Sequence, residues 1–206
     1  MSILFATGFD YYSIADVTKV WSVKTGTPTI VSRGRFGGNC LNMDAAVEDL
    51  DVSGLSGHSV FAYGFAFRLS NQGATAAILA RVTQGSTHLR VDMSANGTLN
   101  LVTGPAGGTT LATTSAIVTA SGVWHYIEAK WVVSTSVWAG QCVLYVSGVS
   151  QASIASGGST AMTVGDVTFV IGNGGAPATT GDFDDVYLLH GSGALSTILG
   201  PIQIET

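Results

Sequence analysis

The stretch "HSVFAYGFAFRLS", residues 58 to 70, decides the fold. Large apolar side chains alternate along it with small ones, and the large ones are Phe61, Tyr63, Phe65, Phe67 and Leu69. Because successive side chains of a β-strand point to opposite faces of the sheet, the large groups share one face. The pattern therefore predicts a strand whose aromatic face lies in a core between two sheets.

The opposite face of this strand is small and nearly uncharged, and carries Val60, Ala62, Gly64, Ala66 and Arg68. Such a face allows a close neighbour. Two neighbours are left open by the sequence: the edge of the second sheet, or another subunit.

Alternation continues along the chain in "AAILARVTQ", "THLRVDMS" and "TLNLVTG", and Asn96-Gly97 between the last two is typical of a tight hairpin turn. Further segments of this kind are "VWHYIEAKWVVS", "GQCVLYVSGVS", "DVTFVIGNG" and "DFDDVYLLH". Together they indicate about ten strands separated by turns. Helix signals are thin and confined to "ALSTILG" and "DAAVEDL". We predict an all-β chain, a two-sheet antiparallel β-sandwich of jelly-roll type with a single domain over residues 1–206.

Composition excludes several classes of partner. The chain has 8 basic and 13 acidic residues, and no Lys/Arg cluster that could neutralise nucleic-acid phosphates. No apolar run approaches the ~20 residues of a membrane helix, and the N-terminus lacks the features of a signal peptide. We expect synthesis in a cytoplasm, with neither nucleic acid nor membrane as partner. Cys40 and Cys142 lie in apolar contexts without metal-site spacing, so we expect two free buried thiols.

Three aspartates in "GDFDDVYLLHGSG", residues 181 to 193, form the candidate metal site: Asp182, Asp184 and Asp185. Strict alternation places Asp185 on one face of the strand and the other two on the opposite face, so the carboxylates do not converge by themselves. Calcium needs six to eight oxygen ligands, and would require loop carbonyls and Asn173 or a distant acid such as Asp10 or Asp16.

The alternative role for these aspartates is structural. A carboxylate near the start of a strand can accept backbone N–H groups from a neighbouring loop and so hold a turn in place. The sequence favours this role, and we expect no obligatory cofactor.

Catalysis is not predicted. The acids spaced two residues apart are Asp49 with Asp51 and Asp182 with Asp184, and neither pair lies in an aromatic-lined strand. The segment "AVEDLDVSG" around the first pair indicates a loop. No G-x-S-x-G motif accompanies the histidines and serines.

Glycan binding usually needs an exposed aromatic ring for the apolar face of the sugar and polar groups for its hydroxyls. Trp138, in "TSVWAGQ", falls in a turn between two predicted strands. Asn173 lies at the start of the loop predicted over residues 172–181. These two residues are the candidates for glycan binding or for a subunit contact.

Several segments together resemble a known family, the concanavalin A-like, laminin-G-like jelly rolls of tailed-bacteriophage virions. The segments are "FATGFDYYSIADVTKVW", "GRFGGNCLNM", "VFAYGFAFRLS", "GVWHYIEAKW", "VLYVSGV", "GDFDDVYLLHGSG" and "GPIQIET". The resemblance spans Phe5 to Thr206 and brings no catalytic residues with it.

The resemblance implies a non-enzymatic virion structural protein, located on the capsid surface or attached to the tail. Its partners would be other virion proteins and copies of itself. The low charge, 10% of residues, agrees with a surface that associates without much desolvation of charge. The alternative is a carbohydrate-binding adhesin module that recognises host surface glycans.

Overall fold

The computed structural model describes residues 2–45, 47–56, 60–71, 77–105, 107–118, 122–132, 142–154, 166–174, 179–191 and 198–204. Strands dominate these ranges. The elements are β1 (Ser2–Thr7), α1 (Ile14–Val20), β2 (Val23–Thr25), β3 (Thr29–Val31), β4 (Cys40–Met43), β5 (Asp49–Ser56), β6 (Val60–Asn71), β7 (Ala77–Gln84), β8 (Thr87–Met93), β9 (Thr98–Thr103), β10 (Thr109–Ala116), β11 (Trp124–Val132), β12 (Cys142–Val146), β13 (Val149–Ile154), β14 (Asp166–Gly174) and β15 (Thr180–Gly191).

The strands form two antiparallel sheets. Sheet 1 has the order β13-β12-β11-β6-β15-β4-β3, with β1 also paired to β15. Sheet 2 has the order β10-β9-β8-β7-β14-β5-β2. Apolar side chains from both sheets form one core cluster between them. The predicted two-sheet antiparallel β-sandwich is confirmed.

The aromatic stripe of β6 lies in this core, as predicted. β6 is central in sheet 1, between β11 and β15. The ring of Tyr63 lies 5.6 Å from that of Phe169 on β14, which joins the two sheets. The Tyr63 hydroxyl donates a hydrogen bond to the Leu89 carbonyl at 3.2 Å, so its polar atom is satisfied inside the core. All five large side chains of the stripe are buried, namely Phe61, Tyr63, Phe65, Phe67 and Leu69.

The small face of β6 is covered by the chain's own C-terminal segment, residues 198–204. Ile202 and Ile204 pack against a second cluster on the outer side of sheet 1. That cluster consists of Val60, Ala62, Ala66, Tyr126, Tyr187 and Leu189. Neither predicted neighbour was right, because the cover is neither the edge of sheet 2 nor another subunit. A Cβ at Gly64 would lie 2.4 Å from the Tyr187 ring, so glycine is required for this close approach.

Glu128 anchors the C-terminal segment to sheet 1. Its carboxylate accepts hydrogen bonds from the Tyr187 hydroxyl and from the Gly200 N–H, the latter at 2.9 Å. Burial raises the pKa of Glu128, while the two hydrogen bonds oppose that rise.

The helix α1 was not predicted. Its seven residues are too short to show a clear 3.6-residue period in the sequence. The Asp16 carboxylate accepts the Ser13 N–H at 3.1 Å and pairs with Lys19 at 2.6 Å, which stabilises the first turn. The "DAAVEDL" segment leads into β5 instead of forming a helix. Residues 194–197 of "ALSTILG" lie outside the described ranges, and the rest is not helical.

Several smaller expectations are also settled. The Asn96-Gly97 turn joins β8 to β9, with Gly97 at a φ of 80°. Cys40 and Cys142 are buried and are not joined in a disulfide, as predicted. No helix within the described ranges is long and apolar enough to cross a membrane.

Candidate functional site

The three aspartates of β15 lie on one side of sheet 1, contrary to the prediction that alternation separates them. The pairing of β15 with β6 shifts register between Asp184 and Tyr187, and Asp185 has a φ of 48°. Such a β-bulge adds one residue and resets the alternation. Phe183 and Val186 therefore both point into the inter-sheet core. Asp182, Asp184 and Asp185 point to the outer side of sheet 1, where their hydrogen-bond partners lie.

Asp182 is the centre of a buried ion-pair network. Its side chain is fully buried and accepts two hydrogen bonds from Arg68, at 2.9 and 2.7 Å. Arg33 donates a further bond at 3.0 Å, and the Asn42 amide donates one at 2.8 Å. The network ties β15 to β6, to β4 and to the loop after β3. Both Arg68 bonds go to Oδ2, and the bonds from Arg33 and Asn42 go to Oδ1. Hydrogen bonds between a guanidinium and a carboxylate are among the stronger polar contacts in proteins.

Asp184 and Asp185 hold two other segments against β15. Asp184 accepts the backbone N–H groups of Arg35, at 3.0 Å, and of Asp185, at 2.9 Å. Asp185 accepts the Ile204 N–H at 2.7 Å and a guanidinium N–H of Arg35 at 3.3 Å. Each of the four carboxylate oxygens thus has a donor. The geometry is that of carboxylates holding loops through backbone N–H groups.

Calcium at these aspartates has no geometric support in the described part of the chain. No three His, Cys, Asp or Glu side chains are grouped there for a metal ion. Asp10 is close enough to raise the pKa of Asp184 and Asp185, whereas Asp16 is engaged at the start of α1.

Asp184 should make stability depend on pH. Burial is the main cause that raises its pKa from 3.8 to about 7. A carboxyl with a higher pKa in the folded state contributes stability that is fully present below about pH 3.8 and is lost as the pH rises through about 7. We expect the melting temperature to fall between about pH 4 and about pH 8, and to fall less steeply in Asp184→Asn. Thermal melts followed by circular dichroism measure both slopes.

Burial also raises the pKa values of other carboxyls, which add to the same trend. Among them is Asp92, whose pKa rises to about 6. The difference between wild type and Asp184→Asn isolates the contribution of Asp184. An Asp184→Asn slope equal to or steeper than that of wild type would contradict the assignment.

The predicted glycan candidates are not brought into a site by the described residues. Trp138 falls within 133–141, outside the described ranges. Asn173 was predicted to lie in a loop, but its backbone belongs to β14. Its side chain is outside the described part of the chain.

A different polar surface lies on the outer face of sheet 2. Asp49 and Asp51 belong to β5, so the prediction of a loop there was wrong. Asp51 is paired across strands with Val170, Val170 with Arg81, and Arg81 with Arg90. Cross-strand partners share a face of the sheet. Val82 and Leu89, the chain neighbours of Arg81 and Arg90, lie in the core. Arg81 and Arg90 therefore face away from the core.

The charges in this row are closely packed. Arg81 pairs with Asp49 at 3.0 Å and Arg90 with Asp92 at 2.8 Å. Only 4% of the Arg90 side chain is exposed. The two arginines are direct cross-strand neighbours, an arrangement of like charges that by itself destabilises a sheet.

Among the described residues, buried polar atoms without a hydrogen-bond partner are concentrated on the outer face of sheet 2. Arg90 has two such donors, Nε and Nη1. The buried acceptors that lack a partner among the described residues are one carboxylate oxygen each of Asp49, Asp51 and Asp92. The Nδ1 atom of His88 also lacks a partner there. Leaving a buried polar group unpaired costs about 1–3 kcal/mol. A ligand that offers both donors and acceptors would remove this cost.

Sequence reasoning missed this face, although a signal was present. In "AAILARVTQ" and "THLRVDMS" the charged residues Arg81, Arg90 and Asp92 occupy the positions that alternate with the apolar ones. That pattern assigns them to one outer face of their strands. Which residues of neighbouring strands lie beside them depends on strand register, which the pattern does not contain.

Comparisons with known proteins give the fold and no family. No protein-family model and no curated protein matches the chain. An endo-β-1,4-glucuronan lyase from the fungus Trichoderma reesei superimposes with a TM-score of 0.67 and 15% identity, over 91% of this chain and 95% of the lyase. Domain 4 of AbnA, an extracellular arabinanase from Geobacillus stearothermophilus solved with arabinotriose, gives 0.65 and 14%, over 91% of each chain.

The binding domain of Paraclostridial Mosquitocidal Protein 1 is also similar, with a TM-score of 0.62, 17% identity and coverage of 90% of this chain and 48% of that one. These three structures are jelly-roll-like β-sandwiches, which agrees with the predicted fold. At such identities the likeness establishes the fold alone. None of the three supports a bacteriophage origin, which therefore stays a proposal.

Proposed function

We propose that this chain is a carbohydrate-binding module and that the outer face of sheet 2 is its binding surface. The observation that carries the proposal is a set of buried polar atoms there that have no partner within the described ranges: guanidinium donors of Arg90 beside a carboxylate oxygen of Asp92, and an oxygen of Asp51 further along the same face. A sugar hydroxyl both donates and accepts. Two neighbouring hydroxyls can therefore bond to a guanidinium and to a carboxylate at once.

The outer face of sheet 1 makes a useful contrast. There the C-terminal segment covers the apolar cluster, and the oxygens of Asp182, Asp184 and Asp185 have donors from the chain itself. On the outer face of sheet 2, two guanidinium nitrogens of Arg90 and one carboxylate oxygen each of Asp49, Asp51 and Asp92 lack such partners within the described ranges. This difference favours sheet 2 as the ligand-binding face.

The structural comparisons support a carbohydrate as ligand. The arabinanase domain was solved with arabinotriose, and the glucuronan lyase acts on a polysaccharide. An adhesin that recognises host surface glycans is the form of this function that the sequence resemblance favours.

Binding is tested with Asp51→Ala. Asp51 is half-buried and its Oδ1 has no partner among the described residues, so removing the carboxylate should spare the fold. A glycan array that includes arabinan, glucuronan and alginate identifies the ligand, and calorimetry gives the affinity. We expect Asp51→Ala to bind about tenfold more weakly, since a hydrogen bond to a charged group contributes about 1.5–3 kcal/mol. Asp44→Ala, at an exposed position between β4 and β5, is the matched control and should bind as wild type does.

Two results would contradict the proposal: no glycan bound, or unchanged affinity in Asp51→Ala. The same polysaccharides also check the expectation that the chain is not an enzyme. Release of reducing ends or of unsaturated products during incubation would overturn that expectation.

The second function that we propose is that of a bacteriophage virion component on the capsid or the tail. It is supported by the sequence resemblance and by the low charge, 10% of residues. The chain's own C-terminal segment covers the small face of β6. That face therefore no longer supports assembly of the chain with copies of itself. Mass spectrometry of purified particles and sedimentation of the free chain test this function, and absence from the particles would exclude it.

A further inference from the structure

A concave surface separate from the outer face of sheet 2 carries exposed aromatic rings. It is a hollow of about 260 Å³ lined by Asp10, Tyr11, Phe36, Gly38 and Gln203. Tyr11 is 78% exposed and Phe36 is 55% exposed. Three segments far apart in sequence meet here: the loop after β1, the loop between β3 and β4, and the C-terminal segment. We call this hollow the aromatic pocket.

The aspartates of the β15 bulge hold the walls of the aromatic pocket in place. Arg35, next to Phe36, is fixed to Asp184 through its N–H and to Asp185 through its guanidinium. The same guanidinium donates to the Ile202 carbonyl at 2.9 Å and lies 4.7 Å from the centre of the Phe36 ring. The Arg35 guanidinium, which these hydrogen bonds hold in place, therefore packs against the Phe36 ring and stabilises its position.

The C-terminal wall is fixed by the same aspartate. The Ile204 N–H donates to Asp185 at 2.7 Å, and Gln203 lies between this residue and Ile202. Two pocket residues from different ends of the chain are thus positioned by one acidic bulge. A pocket whose walls are fixed before a ligand arrives loses less entropy on binding.

Polar groups stand beside the rings. A Cβ at position 38 would lie 1.7 Å from the Asp10 Oδ1, so this carboxylate lies against the backbone of Gly38. The side chain of Gln203 is exposed at the same hollow. The pocket offers an aromatic surface with a carboxylate and an amide at its edge, which is the combination that a sugar ring and its hydroxyls require.

The pocket continues along the same rim. A neighbouring hollow of about 420 Å³ is lined by Tyr12, Ser13, Ile14, Thr29, Ile30, Ser32 and Asn39. Tyr11 and Gly38 line the aromatic pocket, whereas their chain neighbours Tyr12 and Asn39 line the neighbouring hollow. The two hollows are therefore adjacent, and together suit a ligand of more than one ring.

We propose that the aromatic pocket is a second carbohydrate site, separate from the face of sheet 2, and that it binds a neutral oligosaccharide. A sugar ring packs on Phe36 and Tyr11, its hydroxyls bond to Asp10 and Gln203, and the next sugar occupies the neighbouring hollow. The charged group that lines the pocket is the carboxylate of Asp10, so a sugar acid is disfavoured.

The test uses two exposed positions and a matched control. Phe36→Ala and Tyr11→Ala remove the stacking surface, and Val149→Ala shortens an apolar side chain that is 60% exposed on β13. Binding of neutral trisaccharides such as arabinotriose and cellotriose, and of a glucuronic acid trisaccharide, is measured by saturation-transfer NMR and calorimetry. We expect each aromatic variant to weaken neutral binding by about tenfold, with Val149→Ala unchanged and the acidic trisaccharide bound more weakly than the neutral ones.

The outcomes separate this site from that of sheet 2. Weaker binding by Phe36→Ala supports the aromatic pocket, whatever Asp51→Ala shows. If Asp51→Ala binds as wild type does, only the site proposed on sheet 2 is excluded. Unchanged neutral binding in both aromatic variants overturns the aromatic pocket, whatever Asp51→Ala shows. Binding of the acidic trisaccharide alone also overturns it, and a chain that binds no sugar overturns both sites.

Discussion

Phe65→Ala is expected to lower the free energy of unfolding by about 3–5 kcal/mol, the range for removing a large buried aromatic side chain. Phe65 is fully buried in the central strand of sheet 1, and its ring lies 5.8 Å from that of Phe183 on β15. The neighbouring backbone is paired on both sides, which limits how far the structure can relax into the cavity. Urea denaturation followed by tryptophan fluorescence measures the change.

The chain provides a matched control for this variant. Phe36→Ala makes the same chemical change at a position that is 55% exposed, and should have a much smaller effect on stability. Equal effects in the two variants would mean that the stripe of β6 does not face the core. The assignment of the inter-sheet core would then be wrong.

Asp182→Ala is expected to destabilise the fold by about 3 kcal/mol or more, since removing one partner of a buried ion pair leaves the other charge uncompensated. Arg68 would lose both of its bonds to the carboxylate, and its side chain is only 17% exposed. The Asn42 amide would also lose its acceptor. Denaturant unfolding gives the magnitude.

Two controls distinguish an ion-pair network from a metal site. Asp44→Ala removes an exposed carboxylate and should leave the melting temperature unchanged. EDTA should also leave the melting temperature of wild type unchanged, because arginine and asparagine donors occupy Asp182. A melting temperature that fell with EDTA and recovered with calcium would contradict the ion-pair assignment and restore calcium as the partner of these aspartates.

The acids of β15 show where prediction from the sequence worked and where it failed. Their role in accepting backbone N–H groups follows from local chemistry, and the contacts of Asp184 and Asp185 have that form. The assignment of Asp185 to the opposite face failed because alternation assumes a regular strand. A bulge at Asp185 depends on how β15 fits against β6, and no pattern within residues 181–193 encodes it.

The two proposed binding surfaces show the same limit. Asp49 and Asp51 could be read as a loop because "AVEDLDVSG" is polar and ends in glycine, whereas pairing with β14 makes them part of a strand. The aromatic pocket joins Tyr11, Phe36 and Gln203 across nearly the whole chain. Their proximity follows from packing alone.

The sequence by itself determined the fold class, the aromatic core face of β6 and the burial of two cysteines that form no disulfide. Each of these depends on a side-chain period or on composition, and both are local properties of the chain. Tertiary structure alone decided the register that places Arg81 beside Arg90, the bulge at Asp185 and the C-terminal cover of the small face of β6. These features arise from contacts between residues far apart in sequence, whose pairing is set by the packing of the whole sandwich and not by any single segment.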